Sequence, residues 1–206
     1  MKTAIIIPTA RADTNKLLGT INSIITETDQ EYVLIIVKND WRGFAHSVNH
    51  GIKQALGEST ITDIVLLNDD VVVKNGWLQQ LLESDCDICG EQKACRGQEG
   101  DNIIYVAFWM VKIKRIVFES IGLLDENYKV GEVEDIDFCL RAITCGFKIG
   151  ITPKEVAEHQ AHVSLNKFSE IAKKKGMTDF KYFQDGNRRY FKQKWNGTKW
   201  ENLLNY

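Results

Sequence analysis

Along the first part of the chain the apolar positions switch between two periods. The run Ala4-Ile5-Ile6-Ile7, stopped by Pro8, has the continuous apolar character of a strand buried on both faces. Leu17, Leu18, Ile21, Ile24 and Ile25 then recur at helical spacing behind the candidate caps Asp13 and Thr14. Residues 32–37 form a second apolar run. Phe44, Val48, Ile52 and Ala55 mark a second amphipathic helix that stops near Gly57. A third strand, residues 64–67, runs straight into Asn68-Asp69-Asp70. This alternation of strands and helices predicts right-handed crossovers and a parallel sheet with helices on its faces.

Beyond residue 70 the pattern loosens. Trp77, Leu78, Leu81 and Leu82 predict a helix, and Ile88 a strand; the polar residues 91–101 read as a loop and 103–113 as one strand. Residues 116–121 predict a short helix. Residues 134–145 predict a longer one, with Ile136, Leu140 and Ile143 inward and Gly146 as its stop. The tail from Phe168 reads as helical, aromatic and basic.

Composition narrows the class. With 206 residues, 44% of them apolar and 26% charged, the chain suits one packed domain and excludes a disordered or fibrous protein. A net charge of −2 excludes a polycation that seeks nucleic acid. The charge is uneven, however. From Leu165 onward ten Lys or Arg face four Asp or Glu, a balance of +6, which leaves −8 for the rest. The expected organisation is therefore a main domain over 1–164 and a basic helical extension over 165–206, packed on the same domain. That extension is either a solvated face or a peripheral contact for an anionic surface such as a membrane. No window approaches the ~20 apolar residues of a membrane span. The apolar run at the start is too short for a secretory signal, and five cysteines, an odd number, fit reduced thiols. The expected setting is cytoplasmic.

Three acidic features follow strands or open a helix: Asp40, the Asp69-Asp70 pair, and Glu134-Asp135. Ligands of open α/β sheets sit beyond the carboxyl ends of strands, so these acids can converge on one rim. Any one of them alone reads equally as a turn residue or helix cap. A hard cation such as Mn²⁺ or Mg²⁺ takes only one or two protein carboxylates and completes its shell with water and phosphate. Adjacent acids at a strand end can divide that work, one facing the cation and the other a ribose.

Five segments together are recognisable: Ile5-Ile6-Ile7-Pro8-Thr9; Arg42-Gly43-Phe44-Ala45-His46-Ser47-Val48-Asn49-His50-Gly51-Ile52; Leu67-Asn68-Asp69-Asp70-Val71; Ile121-Gly122-Leu123-Leu124-Asp125-Glu126; and Glu134-Asp135-Ile136-Asp137-Phe138-Cys139-Leu140-Arg141. Over residues 3–164 they resemble the family 2 glycosyltransferases, in the rhamnosyltransferase-like branch. The resemblance implies an α/β GT-A fold with a Rossmann-like, mainly parallel sheet. It also implies inverting, Mn²⁺- or Mg²⁺-dependent transfer of a hexosyl or deoxyhexosyl group from a nucleotide-diphosphate sugar to a hydroxyl of a glycan, lipid or protein. On it, Asp70 holds the metal and Asp69 lies near the ribose, while Pro8, Thr9, Asp40, Arg42 and Asn49 line the donor site. Glu134 and Asp135 form the catalytic pair with Asp135 as base, and His159 stands near the metal and diphosphate, with His162 as its competitor. The order Val37-Lys38-Asn39-Asp40 departs from the family's usual one and leaves base preference open.

The physics of Asp135 cuts two ways. A helix N-terminus keeps it ionised but makes it a weaker base, and desolvation would have to raise its pKa again. The other motifs read as structure. His46 and His50, four apart, lack the Glu and third ligand of a zinc site, and Cys86, Cys89 and Cys95 lack a fourth partner for a zinc knuckle. Two other functions fit parts of the pattern. A nucleotidyltransferase would want a glycine-rich phosphate loop where this chain has Pro8-Thr9-Ala10-Arg11-Ala12-Asp13. A catalytically silent nucleotide-sugar-binding protein would keep the donor motifs without transfer.

Overall fold

The computed structural model describes residues 2–9, 15–39, 42–160 and 180–204. A six-stranded sheet in the order β2-β1-β3-β8-β5-β9 forms its centre. Its strands are β1 (Lys2–Thr9), β2 (Tyr32–Lys38), β3 (Ile61–Leu67), β5 (Ile88–Gly90), β8 (Met110–Lys114) and β9 (Ile149–Ile151). Every neighbouring pair is parallel except those of β8, which runs antiparallel to both β3 and β5. The helices are α1 (Asn15–Glu27), α2 (Phe44–Gly57), α3 (Trp77–Leu82), α4 (Arg115–Ile121), α5 (Glu134–Thr144) and α6 (Phe180–Lys194). Two small antiparallel sheets complete the fold. β4 (Val71–Val73) pairs with β10 (Ala157–His159), and β6 (Cys95–Glu99) pairs with β7 (Asn102–Val106).

The predicted strand-helix-strand-helix-strand core is present, and its apolar runs fill the sheet: Ala4, Ile5, Ile6 and Ile7 of β1 and Ile64, Val65, Leu66 and Leu67 of β3 are fully buried. Pro8 does not stop β1, which runs on to Thr9: it lies beyond the last β1–β3 pair, Ile6 with Leu66, but still pairs with Val37 of β2. α2 lies on β1 at glycine distance. A Cβ on Gly51 would stand 2.5 Å from the Ile6 Cγ2, so this helix approaches closer than any side chain would permit.

The structure corrects four expectations in detail. α1 turns Leu17, Thr20, Ser23 and Ile24 inward, while Leu18 and Ile25 are 53% and 62% exposed. The hydroxyls go inside because they feed a strand edge: Thr20 Oγ1 accepts from Val71 N–H at 3.2 Å and Ser23 Oγ from Val73 N–H at 3.1 Å. β2 is an edge strand in which only Val37 is buried, rather than a buried one. Residues 91–101 are not a loop; a short 3₁₀ turn (Gln92–Ala94) leads into the β6–β7 hairpin. Residues 103–113 break at 107–109 into two strands of different sheets.

The predicted boundary at 164/165 lies outside the described residues. The described tail packs on residues 125–141. Phe191 and Trp195 are buried, and the Trp195 Nε1–H donates to Asp137 at 3.0 Å. Lys194 bridges Asp125 at 2.6 Å and Asp137 at 2.9 Å. Asp137, fully buried, also accepts from Tyr128 and pairs with Arg141. Part of the tail's positive charge is thus answered within the molecule. Among the described residues no helix is long and apolar enough to cross a membrane.

Candidate functional site

The end of β3 carries the first group. Asp70 is 4% exposed, at the turn between β3 and β4. The β4–β10 pairing places His159 opposite Val71, and the Gln160 N–H closes on the Asp70 carbonyl at 2.9 Å. The side chains meet as a result: His159 Nε2 lies 3.1 Å from Asp70 Oδ1. Asn68 Nδ2 is 3.5 Å from the same ring nitrogen, and the Trp109 indole stacks on the imidazole at 4.8 Å and 12°. The ring is therefore fixed in plane as well as in position. Beside it, Thr9 Oγ1 donates to Asp69 at 2.6 Å, which ties the ends of β1 and β3 together.

This arrangement fits a divalent cation. Two ligands each about 2.1 Å from an octahedral ion, at right angles, stand about 3 Å apart, which is the separation Asp70 and His159 already have. One carboxylate and one imidazole leave the remaining positions for water and phosphate, as small hard cations prefer. Among the described residues no group of three or more acidic, His or Cys ligands gathers anywhere, so a closed structural metal cage is not what these side chains build.

The second group sits at the start of α5. Glu134 is 5% exposed, and its Oε2 has no hydrogen-bond partner among the described residues. Desolvation, with the Asp135 charge beside it, pushes the Glu134 carboxyl up to about 8. Asp135 is pushed up to about 6, again chiefly by desolvation, against the backbone of Ile136, Asp135 and Phe108, which favours its charged form. Burial thus outweighs the helix N-terminus. Burial and mutual repulsion raise both acids above the usual carboxylate range, and the two titrate as a pair. Neither acts as the helix N-cap, a position held by Val133 without any side-chain bond.

One dipeptide joins the groups. The Phe108 backbone favours the charged form of the Asp135 carboxylate, while the ring of the next residue, Trp109, stacks on His159. The reversed direction of β8 makes this possible. Leu67 pairs with Met110, so the start of β8 lies at the rim where β3 ends. The Trp109 carbonyl also accepts from Asn68 N–H at 2.9 Å. Neither Phe108 nor Trp109 stands out in the sequence; the unforeseen break in 103–113 is what puts them there.

The loop before α5 is strained. Val130, Glu132 and Val133 have φ of 67°, 77° and 77°, a region that costs a β-branched residue of order 1–3 kcal/mol. Gly43, at φ 118°, meets this loop: a Cβ there would lie 3.0 Å from the Val130 nitrogen, and Phe44 N–H donates to the Val130 carbonyl at 2.9 Å.

The other expected donor-site residues are placed as follows. Pro8 is buried in β1, and Arg42 is exposed just before α2. Asn49 is buried, and its amide goes to the Leu124 backbone at 2.9 and 3.1 Å and to Glu126 at 2.9 Å. It pins the 124–126 segment to α2 and has little left for a donor. Asp40 and His162 lie outside the described residues. His46 pairs with Glu126 at 2.7 Å. All five cysteines are free. Cys89 is buried beside Lys112, a fully buried lysine whose Nζ donates to the Cys86 carbonyl at 2.9 Å.

Glu134 gives a stability prediction. Its folded pKa lies above the unfolded value near 4.5, so the folded state binds the extra proton and stability falls as pH rises through about 8. The slope is up to about 1.4 kcal/mol per pH unit. Glu134→Gln, which mimics the protonated acid, should flatten the decline between pH 6 and 8 in urea unfolding; an equally steep decline in the variant would refute the assignment.

This topology, with one reversed strand in a mainly parallel sheet and acids at the end of β3, is the GT-A fold of glycosyltransferases. The catalytic domain of Drosophila β1,4-galactosyltransferase 7, solved with xylobiose, superposes with a TM-score of 0.62 at 15% identity, over 78% of this chain and 71% of that one. A mutant of the same enzyme, solved with manganese, UDP-Gal and xylobiose, matches equally well. GalNAc-T7 with UDP, GalNAc and Mn²⁺ gives a TM-score of 0.61 at 12% identity, over 89% of this chain and 56% of that one. A197 from STIV gives 0.55 at 17% identity, over 79% and 87%. No protein-family model matches the sequence, and no curated protein matches it.

Proposed function

We propose that the protein is an inverting, divalent-metal-dependent glycosyltransferase that moves a sugar from a nucleotide diphosphate to a hydroxyl acceptor. The observation that carries this reading is the Phe108-Trp109 bridge. It sets a candidate cation pair, Asp70 and His159, and a desolvated acid pair, Glu134 and Asp135, around one rim. A bare nucleotide-binding protein has no use for the second pair. The resemblance to family 2 sequences supports the reading, as do structural neighbours solved with manganese or Mn²⁺ and UDP or UDP-Gal.

Asp70 and His159 would hold Mn²⁺ or Mg²⁺, which would neutralise the diphosphate as it leaves. Asp69, oriented by Thr9, is set to accept hydrogen bonds from the ribose. Asp135 takes the proton of the acceptor hydroxyl, whose oxygen attacks the anomeric carbon as the bond to the diphosphate breaks; one in-line displacement inverts that centre. Glu134, where it carries the proton of the pair, adds no second negative charge beside the base. The basic tail is the part of the chain suited to an anionic acceptor or membrane surface, and a cytoplasmic setting agrees with five free thiols.

A thermal-shift panel of UDP-, GDP- and dTDP-sugars with and without Mn²⁺ tests the reading. A donor at 100 times its Kd adds about 2.7 kcal/mol, a rise of roughly 5–10 °C in Tm for a chain of this size. No metal-dependent rise with any donor would overturn it.

A further inference from the structure

The strained loop at residues 129–133 is held from α6 as well as from the start of α2. Asn187 is 2% exposed in the middle of that helix. Its Oδ1 accepts the Lys129 N–H at 2.8 Å, and its Nδ2 donates to the carbonyls of Lys129 at 3.0 Å, Gly131 at 3.0 Å and Glu132 at 3.2 Å. Four contacts from one amide thus fall on three residues, Lys129, Gly131 and Glu132, with its two N–H hydrogens shared among the three carbonyls. One turn earlier Gln184 donates to the Glu132 carboxylate. Two left-handed residues, Val130 and Glu132, fall within this clasp, and the third, Val133, follows directly as the N-cap of the helix whose first two residues are Glu134 and Asp135.

We propose that Asn187 is a positioning residue of the active site: by clasping residues 129–132, which hold left-handed Val130 and Glu132 and lead straight into left-handed Val133, it aims Glu134 and Asp135 at the acceptor side of the rim. The argument is one of alternatives. Valine and glutamate relax readily to negative φ when nothing opposes it. A relaxed residue 133 would change the direction in which the chain enters α5, and the first turn of that helix carries both acids. On the far side, Gly43 and Phe44 press on Val130, so the loop is gripped between the start of α2 and α6. Burial of Asn187 means that water cannot replace its bonds cheaply. Phe191, further along α6, and Trp195, just past its end, supply the packing that holds the helix down, which separates the anchoring of α6 from the clasp itself.

The inference rests on the glycosyltransferase reading only for its catalytic consequence, and the test keeps the two apart. Asn187→Ala removes all four bonds. Asn187→Asp keeps the acceptor for Lys129 N–H but turns a carboxylate toward three carbonyls. Lys192→Ala, on the exposed side of α6, is the control. In the full-length protein, hydrogen exchange of amides 131–136 should quicken at least 10-fold in both Asn187 variants and stay unchanged in the control. The Glu134 carboxyl, followed by ¹³C NMR, should titrate at lower pH in both variants as water reaches it past Glu132 and Asp135. With a transferable donor and acceptor, kcat should fall 10- to 100-fold while the donor KM stays within 2-fold. If both Asn187 variants fold and keep parental exchange and parental Glu134 titration, the proposal is wrong. If the parent shows no transfer but the exchange and titration respond as expected, glycosyl transfer fails and the clasp stands.

Discussion

Asp135→Asn is expected to leave a folded protein that binds its donor at parental affinity and transfers sugar about 10²- to 10⁴-fold more slowly, the range over which a positioned general base contributes. The replacement is nearly isosteric, and its side-chain oxygen can still accept the Ile136 N–H, a bond of 2.8 Å in the parent. What disappears is the proton acceptor. The parent should also show a rise in kcat/KM with pH whose apparent pKa lies near 6, where desolvation places Asp135. That acid limb belongs to the Asp135–Glu134 pair rather than to one residue, and it should vanish in the Asn variant. Parental turnover in Asp135→Asn, under conditions where the parent is saturated with donor, would remove Asp135 from the chemistry.

The second large effect falls on the other side of the rim. Asp70→Asn should weaken Mn²⁺-dependent donor binding by about 100-fold or more, since even the partners of metal ligands are worth 10- to 100-fold. Calorimetric titration of donor with and without Mn²⁺ measures this directly. The variant should bind donor equally in both conditions, where the parent binds it far better with the ion. The backbone at Asp70 keeps its bond from Gln160 N–H, so the strand pairing that delivers His159 survives. Donor affinity that still rises with Mn²⁺ as it does in the parent would show that the ion sits elsewhere.

Much of the scaffold was legible because it obeys local rules. β1, β3 and α2 each carry an apolar run or stripe, with Gly57 ending the helix, although Pro8 did not end its strand. The hairpin at 95–106 was missed because β6, Cys-Arg-Gly-Gln-Glu, is polar and mostly exposed, and a two-sided polar strand has no pattern to read. The break at 107–109 was missed because Ala107, Phe108 and Trp109 contain no turn residue; the chain turns there because β7 and β8 pair with different partners. The acids were found by motif, yet their protonation was not. The raised pKa of Glu134 comes from burial that only tertiary packing produces. The clasp on residues 129–132 was invisible for the same reason: valine does not announce a left-handed turn, and the asparagine that holds it lies more than fifty residues away in the chain.

The reversed β8 also decides where this protein can grow. A hairpin, not a helix, feeds that strand into the rim, and the tip of the hairpin is Gly100 at φ 60° followed by an exposed Asp101. Close to the rim, Ala107 is tied by its N–H to Ala94 at 2.8 Å, so slack introduced at the tip is absorbed before it reaches Phe108. New sequence spliced between residues 100 and 101 should be tolerated while Phe108 and Trp109 stay in register.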